Sequence, residues 1–346
     1  MEGIFLVFDK WHLGVTFGFR GKNGYFSSEE AKAEARAIKE SGADWVVLVV
    51  TVFQENYASR FQFMDFEMTP DSFEVAEMID YLHSLGLKVQ LRPMLETMDG
   101  CGRLQVWFPR DDLDGNRIPG TSHSFCSDWF RSMTARSVYY AKIAERTKCE
   151  MFCLDSELDK FVDYNAHWEK VVDAVREVYH GCVTSCHTTH MGLIDYEKIL
   201  SKKDHWFYKL DVLSLSTYHR CADKPSATKE EMKEGFKSQL ERFRRIHDIY
   251  GKPILLGECG CTTITGAAMN ADGWKTDKGT YDEKEQATYL EALIETFEGE
   301  PWWYGLYWWK WDENVPRQFK HKGFTIKGKM AEKVFQQWSV KDRSRK

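Results

Sequence analysis

Met151-Phe152-Cys153-Leu154-Asp155-Ser156-Glu157 and Pro253-Ile254-Leu255-Leu256-Gly257-Glu258-Cys259-Gly260 are short apolar runs that each deliver a glutamate. They read as buried parallel strands, covered on both faces by helices. Outward from them, strand-like and helix-like patterns alternate almost from end to end, which points to α/β architecture with a parallel sheet. Strands are expected at residues 13–19, 45–53, 87–95, 151–157, 182–187, 211–218, 253–258 and 304–311. The helix after the first strand opens at Ser27-Ser28-Glu29-Glu30, which fits a capping box. The next opens at Thr69-Pro70, by cap and first-turn proline, and carries Phe73, Ala76, Ile79 and Leu82 on one face. Further helices are expected at 129–146, 168–179, 229–250, 282–299 and 330–338. Counted as eight strand–helix pairs, the pattern predicts a single (β/α)8 TIM barrel. It forms one catalytic domain over 1–346, with the barrel core at about 13–338 and no linker dividing it. The segments 96–125 and 262–279 are too long for plain connections, so functional βα loops are expected after strands three and seven.

Composition narrows the partners. The chain of 346 residues is 43% hydrophobic and 29% charged, which is enough apolar material for a large core. Its net charge of -6 argues against nucleic acid and acidic membrane surfaces as partners. No stretch reaches the roughly 18 apolar residues that a membrane span needs. Residues 1–11 lack the basic start of a secretory signal. The nine cysteines follow no disulfide framework, which points to a reducing compartment and a cytoplasmic location.

The chemistry resides at the strand ends. In a TIM barrel the C-terminal ends of the strands carry the site. Alternation puts Met151, Cys153, Asp155 and Glu157 on one face of strand four, and Ile254, Leu256 and Glu258 on one face of strand seven. If those faces line the barrel, Glu157 and Glu258 meet across its mouth. A facing pair of carboxylates is the equipment of a glycosidase. Glu55, Glu96 and Glu313 also follow strands, so a strand-end glutamate alone is equally a solvated loop residue. Gly257 and Gly260 around Glu258, and Tyr218 at the end of strand six, set the pair apart. Arg92 on strand three is placed either to hold a carboxylate ionised or to form a rim ion pair.

The remaining candidates are weaker. Trp309 and Trp311 share a face of strand eight, and Trp107, Trp129 and Trp274 lie in or beside the long loops as sugar platforms. His187 and His190 are expected at the mouth as sugar hydrogen-bonders. Cys182 and Cys186 read as core, because the spacing in Cys182-Val183-Thr184-Ser185-Cys186-His187 matches no zinc pattern. Neither a metal nor a cofactor is expected.

Gly14-Val15-Thr16-Phe17-Gly18-Phe19, Leu91-Arg92-Pro93, Asp155-Ser156-Glu157-Leu158, Gly257-Glu258-Cys259-Gly260 and Tyr307-Trp308-Trp309-Lys310-Trp311 occur in that order. Taken together they resemble clan A of the glycoside hydrolases, with the closest similarity to family 113, the retaining β-mannanases. The resemblance implies Glu157 as acid/base, Glu258 as nucleophile, Tyr218 positioning the nucleophile, and a strand-eight tryptophan under the sugar. It also implies hydrolysis of β-mannosidic bonds in oligosaccharides or mannan by double displacement. Ser156 stands where much of the clan has an asparagine on the sugar 2-hydroxyl, which bears on manno against gluco preference. The alternatives are a retaining glycosidase for a gluco-configured β-glycan and a non-catalytic carbohydrate-binding barrel.

Overall fold

The computed structural model describes residues 8–107, 124–189, 204–273, 279–313 and 315–344. Eight parallel strands close into a barrel in sequence order. They are His12–Phe17 (β1), Trp45–Gln54 (β2), Lys88–Thr97 (β3), Met151–Ser156 (β4), Cys182–Thr188 (β5), Leu213–Thr217 (β6), Ile254–Cys259 (β7) and Trp303–Trp308 (β8). The barrel closes where His12 pairs with Gly305 and Gly14 with Tyr307. All ten residues of β2 are buried, as a run without polar alternation requires when helices cover its outer face.

The described residues include helices Glu29–Glu40 (α1), Ser72–Ser84 (α2), Phe125–Arg146 (α3), Asn165–Arg176 (α4), Lys229–Tyr250 (α5), Glu283–Phe297 (α6) and Met330–Ser339 (α7). Between β5 and β6 they carry only the short 3-10 turn Trp206–Lys209. The capping box of α5 is reciprocal between Thr228 and Glu231, and Gly251 ends that helix in the left-handed conformation.

Two expectations for α2 are corrected. Its cap is Asp71, whose carboxylate accepts from the Phe73 and Glu74 amides, and not Thr69. The Thr69 hydroxyl instead donates to the Thr51 carbonyl. Moving the start shifts the buried stripe to Val75, Met78, Ile79 and Leu82, and leaves Phe73 77% exposed.

The barrel interior is polar in its middle. Near the bottom, Tyr307 fills the space opposite Gly14, where a Cβ would stand 2.4 Å from the ring. The Tyr307 hydroxyl meets His12 Nδ1 at 2.9 Å. One level up lie Gln90, Arg92, Cys153, Cys186 and Ser214. Gly257 belongs to this layer, since a Cβ there would lie 1.7 Å from Ser214 Oγ and 3.1 Å from Cys186 Sγ.

Candidate active site

Both glutamates reach the mouth through irregular backbone, not through the alternation read from the sequence. In β4, Cys153 pairs with Thr184, but Ser156 pairs with Cys186, so three residues on β4 advance against two on β5. This bulge turns Asp155 out of the barrel. Its carboxylate accepts from Arg136 of α3 at 2.6 Å. Ser156 turns inward, and Glu157 follows with a φ of 61°. A non-glycine residue held there costs about 1–3 kcal/mol, and such residues cluster at functional sites.

The same device recurs in β7. Leu215 pairs with Leu256, and the next residue, Ser216, pairs with Glu258. Gly257 and Glu258 therefore both face inward, whereas Leu256 does not. The residue expected at the mouth is there, but its face is set by the bulge.

The surroundings of the two carboxylates differ in kind. Glu258 Oε1 accepts from Arg92 Nη1 at 2.8 Å and from the Ser156 hydroxyl at 2.6 Å. Its Oε2 accepts from the Tyr218 hydroxyl at 3.3 Å. Three donors on one carboxylate suit an ionised acceptor. Arg92 is itself fully buried and locked, donating also to the Gly257 carbonyl and, from Nε and Nη2, to Gln90 Oε1. Burial works against its charge, but Cys153, Cys186, Glu258 and Tyr307 together hold its pKa above the ordinary value. Burial, reinforced by the Glu258 and Glu157 carboxylates, pushes the Tyr218 phenol well up, so it remains a donor.

Glu157 has fewer compensations. Its Oε1 accepts from the Ser216 hydroxyl at 2.8 Å and its Oε2 from Arg103 Nη2 at 3.0 Å. Burial pushes its pKa up to about 7, the charges of Glu258 and Asp159 adding to the rise while Arg103 and Ser216 oppose it. One carboxylate is thus surrounded by donors, and the other is disposed to hold a proton near neutrality.

Trp309 stands near Arg103, the partner of Glu157. Its indole is buried, with the Phe19 ring centroid at 5.0 Å. The Arg103 guanidinium carbon lies 5.9 Å from the Phe19 centroid and 6.0 Å from that of Trp309. Trp107 is 44% exposed on the loop after β3, its amide donating to the Tyr57 carbonyl. Trp274 and His190 lie outside the described residues.

Other expectations are corrected. Ser156 spends its hydroxyl proton on Glu258, so its contact is with the carboxylate and not primarily with a sugar hydroxyl. His187 faces the helical layer, because its neighbour Cys186 faces the interior. The ring packs against Trp206 and Phe207, and Nδ1 meets Asp159 at 3.0 Å. Trp311 is also directed away. β8 ends at Trp308, so alternation no longer links residues 309 and 311, and the Trp311 indole donates to Glu34 of α1 at 2.7 Å. Trp129 is buried, donating to Gln54.

Arg103 and Ser216 were not singled out from sequence, and Glu96 was named only as one of several glutamates that follow strands. Arg103 does fall in the long loop expected to be functional, and Ser216 lies two residues before Tyr218, on the face that alternation gives both within the expected strand 211–218. A cavity of about 450 Å³ beside Arg220, Cys221 and Gly235 is lined by none of the residues around the carboxylates.

Comparison with known proteins places the chain as a whole. The pattern of Glycoside Hydrolase Family 113 matches residues 15–329. A solved GH113 β-1,4-mannanase in complex is 28% identical, covering 95% of this chain and 99% of that one, with a TM-score of 0.82. The GH113 β-mannanase AaManA from Alicyclobacillus acidocaldarius, in complex with ManMIm, is 26% identical, with 96% and 98% covered and a TM-score of 0.82. A Ruminococcus gnavus β-glucuronidase shares the fold at 13% identity, with 95% of this chain and 50% of that one covered and a TM-score of 0.60. No curated protein matches significantly. A family pattern spanning nearly the whole barrel, on a fold shared end to end with solved members, makes this chain a glycoside hydrolase of family 113.

Proposed function

We propose that the chain is a retaining β-mannanase in which Glu258 is the nucleophile and Glu157 the acid/base. The contrast between the two carboxylates carries the reading. Glu258 accepts three hydrogen bonds, one from a buried arginine, while burial raises Glu157 to about 7. The likeness to β-1,4-mannanases supports the sugar and the linkage. In the first step Glu258 bonds to the anomeric carbon as the glycosidic C–O bond breaks, and the proton of Glu157 passes to the departing oxygen. In the second, Glu157 takes a proton from water, whose oxygen bonds to the anomeric carbon and releases Glu258. Two inversions leave the configuration retained.

The substrate is a β-linked manno-oligosaccharide or mannan, with Trp309 beneath the sugar at the cleavage point and Trp107 as an outer platform. β-1,4-Manno-oligosaccharides should be cleaved far faster than cello-oligosaccharides of equal length, as read from product chromatography. Cleavage of the gluco series alone would overturn the sugar assignment. Tight binding of both series without hydrolysis would favour a carbohydrate-binding barrel.

Ser156 supports the nucleophile in this scheme. A hydrogen bond to a charged group contributes about 1.5–3 kcal/mol, so Ser156→Ala should lower kcat roughly 10- to 100-fold. An unchanged kcat with an altered manno-to-gluco ratio would return Ser156 to a sugar-contacting role.

Among the described residues no helix is long and apolar enough to cross a membrane. All nine cysteines are free and eight are buried, which supports a reducing, cytoplasmic setting. Cell fractionation tests that location.

A further inference from the structure

Arg103 lies further beyond the end of its strand than the other donors to the two carboxylates, and a loop supplies it. The loop leaves β3 at Thr97 and enters the short turn Arg103–Gln105. Two glycines at positive φ, Gly100 and Gly102, bend it back over the barrel. Arg103 then bridges two carboxylates, Glu96 at the end of β3 and Glu157 Oε2 at 3.0 Å, with only 11% of its side chain exposed. Phe19 and Trp309 flank the guanidinium.

This bridge divides the two oxygens of Glu157. Arg103 has only protons to donate, so Oε2 stays an acceptor as long as the pair holds. Ser216 sits 2.8 Å from Oε1, and a hydroxyl can either donate or accept. Only Oε1 can therefore carry a proton without breaking a contact.

We propose that Arg103, clamped by Glu96, is a positioning residue for the proton donor: it occupies Oε2 of Glu157 and leaves Oε1 as the oxygen that delivers the proton. The inference rests on the assignment of Glu157 as acid/base. In the first step the proton leaves Oε1 for the glycosidic oxygen, which keeps the electron pair of the broken bond. In the second, a water proton returns to Oε1. Glu96 restrains Arg103 in two ways, by holding its geometry and by partly neutralising its charge. Among the described residues, the other groups facing Glu157 are Glu258 from β7, Asp159 beyond β4, the Cys186 thiol of β5 and the Tyr218 phenol after β6. Lys310 Nζ lies 5.6 Å from the Phe19 ring centroid. Among the described residues, Arg103 is the cation in direct contact.

The test compares Arg103→Gln, Arg103→Lys and Glu96→Gln with the unaltered protein. The Glu157 carboxyl is titrated by carbon-13 NMR, and kcat is measured with natural manno-oligosaccharides and activated aryl mannosides. Arg103→Gln removes a positive charge, so the Glu157 titration should move up by about one unit or more. Glu96→Gln removes a negative charge and leaves Arg103 less neutralised, so the titration should move down. Arg103→Lys should keep the titration near its original place yet lose kcat on natural substrates, because a point charge lacks the fork that holds Oε2. Arg103→Gln should lose roughly 10- to 100-fold on natural substrates and far less on aryl mannosides, whose leaving groups need no proton.

Shifts of the same sign in Arg103→Gln and Glu96→Gln, or a Glu157 titration unmoved in both, would overturn the proposal. So would equal losses on both substrate classes. If Arg103→Gln does not fold, Glu96→Gln and Arg103→Lys decide by the same readings. Failure of the unaltered protein to cleave any β-mannoside would instead overturn the mannanase reading, while the NMR titration still reports on the bridge.

Discussion

Glu258→Ala is expected to abolish hydrolysis of every β-mannoside, whatever its leaving group. In the proposed mechanism the attacking oxygen is supplied by this residue alone, and neither leaving-group activation nor Glu157 can replace the missing bond to the anomeric carbon. Removing a nucleophile of this kind costs roughly 10⁴-fold or more in kcat. The fold must be checked in the same experiment. Arg92 is completely buried and Glu258 is its carboxylate partner, so the substitution strands a buried cation. Breaking such a pair from one side commonly costs about 3–5 kcal/mol. Glu258→Gln keeps an acceptor for Arg92 and Ser156 and should unfold later than the alanine variant, yet be equally inactive. Azide should enter the vacated space in Glu258→Ala and give the inverted α-mannosyl azide. Turnover of an aryl mannoside within tenfold of the unaltered protein, or an azide adduct of retained configuration, would remove Glu258 from the nucleophile's place.

The barrel was legible because its strands are continuous apolar runs and its helices carry caps and periodic stripes. Tertiary structure had little to override there. Glu157 and Glu258 were expected at the mouth for a reason that turns out to be only partly right. Period-two alternation carries no sign of where an extra residue is inserted, so the bulges at Asp155 and Gly257 could not be read. Asp155 was accordingly expected inside the barrel, and it binds Arg136 outside. The Gly257 next to Glu258 was the one local hint, since an interior layer shared with Ser214 and Cys186 leaves no room for a Cβ. Trp311 failed on the assumption that alternation persists beyond the end of a strand, whereas His187, expected at the mouth, obeys alternation and faces outward because Cys186 faces inward. Arg103 was illegible for another reason. Its contact with Glu157 spans 54 positions and depends on how one loop folds back, which local pattern does not encode. The helix α2 cap slipped by two residues because Thr69 and Asp71 are both good caps, and Glu74 decides between them.

Glu157→Ala should fail selectively, and that selectivity identifies an acid/base. Natural mannosides depart as poorly stabilised alkoxides and need the proton, so their turnover should fall by roughly 10²–10⁴-fold. Activated aryl mannosides depart unaided, so Glu258 should still capture the sugar, and a burst of released phenol should precede a slow second step. Azide needs no general base and should accelerate that second step, giving the β-mannosyl azide with configuration retained. The pH profile follows from the same residue. Only protonated Glu157 can act in the first step, and burial raises its pKa to about 7. The kcat/KM for natural substrates should therefore fall as pH rises through about 7, and this alkaline limb should vanish in Glu157→Ala with aryl mannosides. The direction is decisive. A group acting as an obligatory base in the first step would lose activity on the acid side of the same pKa instead. If both glutamate variants lost natural and activated substrates equally, or if proton NMR showed the first-formed product anomer inverted, the division of roles between Glu157 and Glu258 would be wrong.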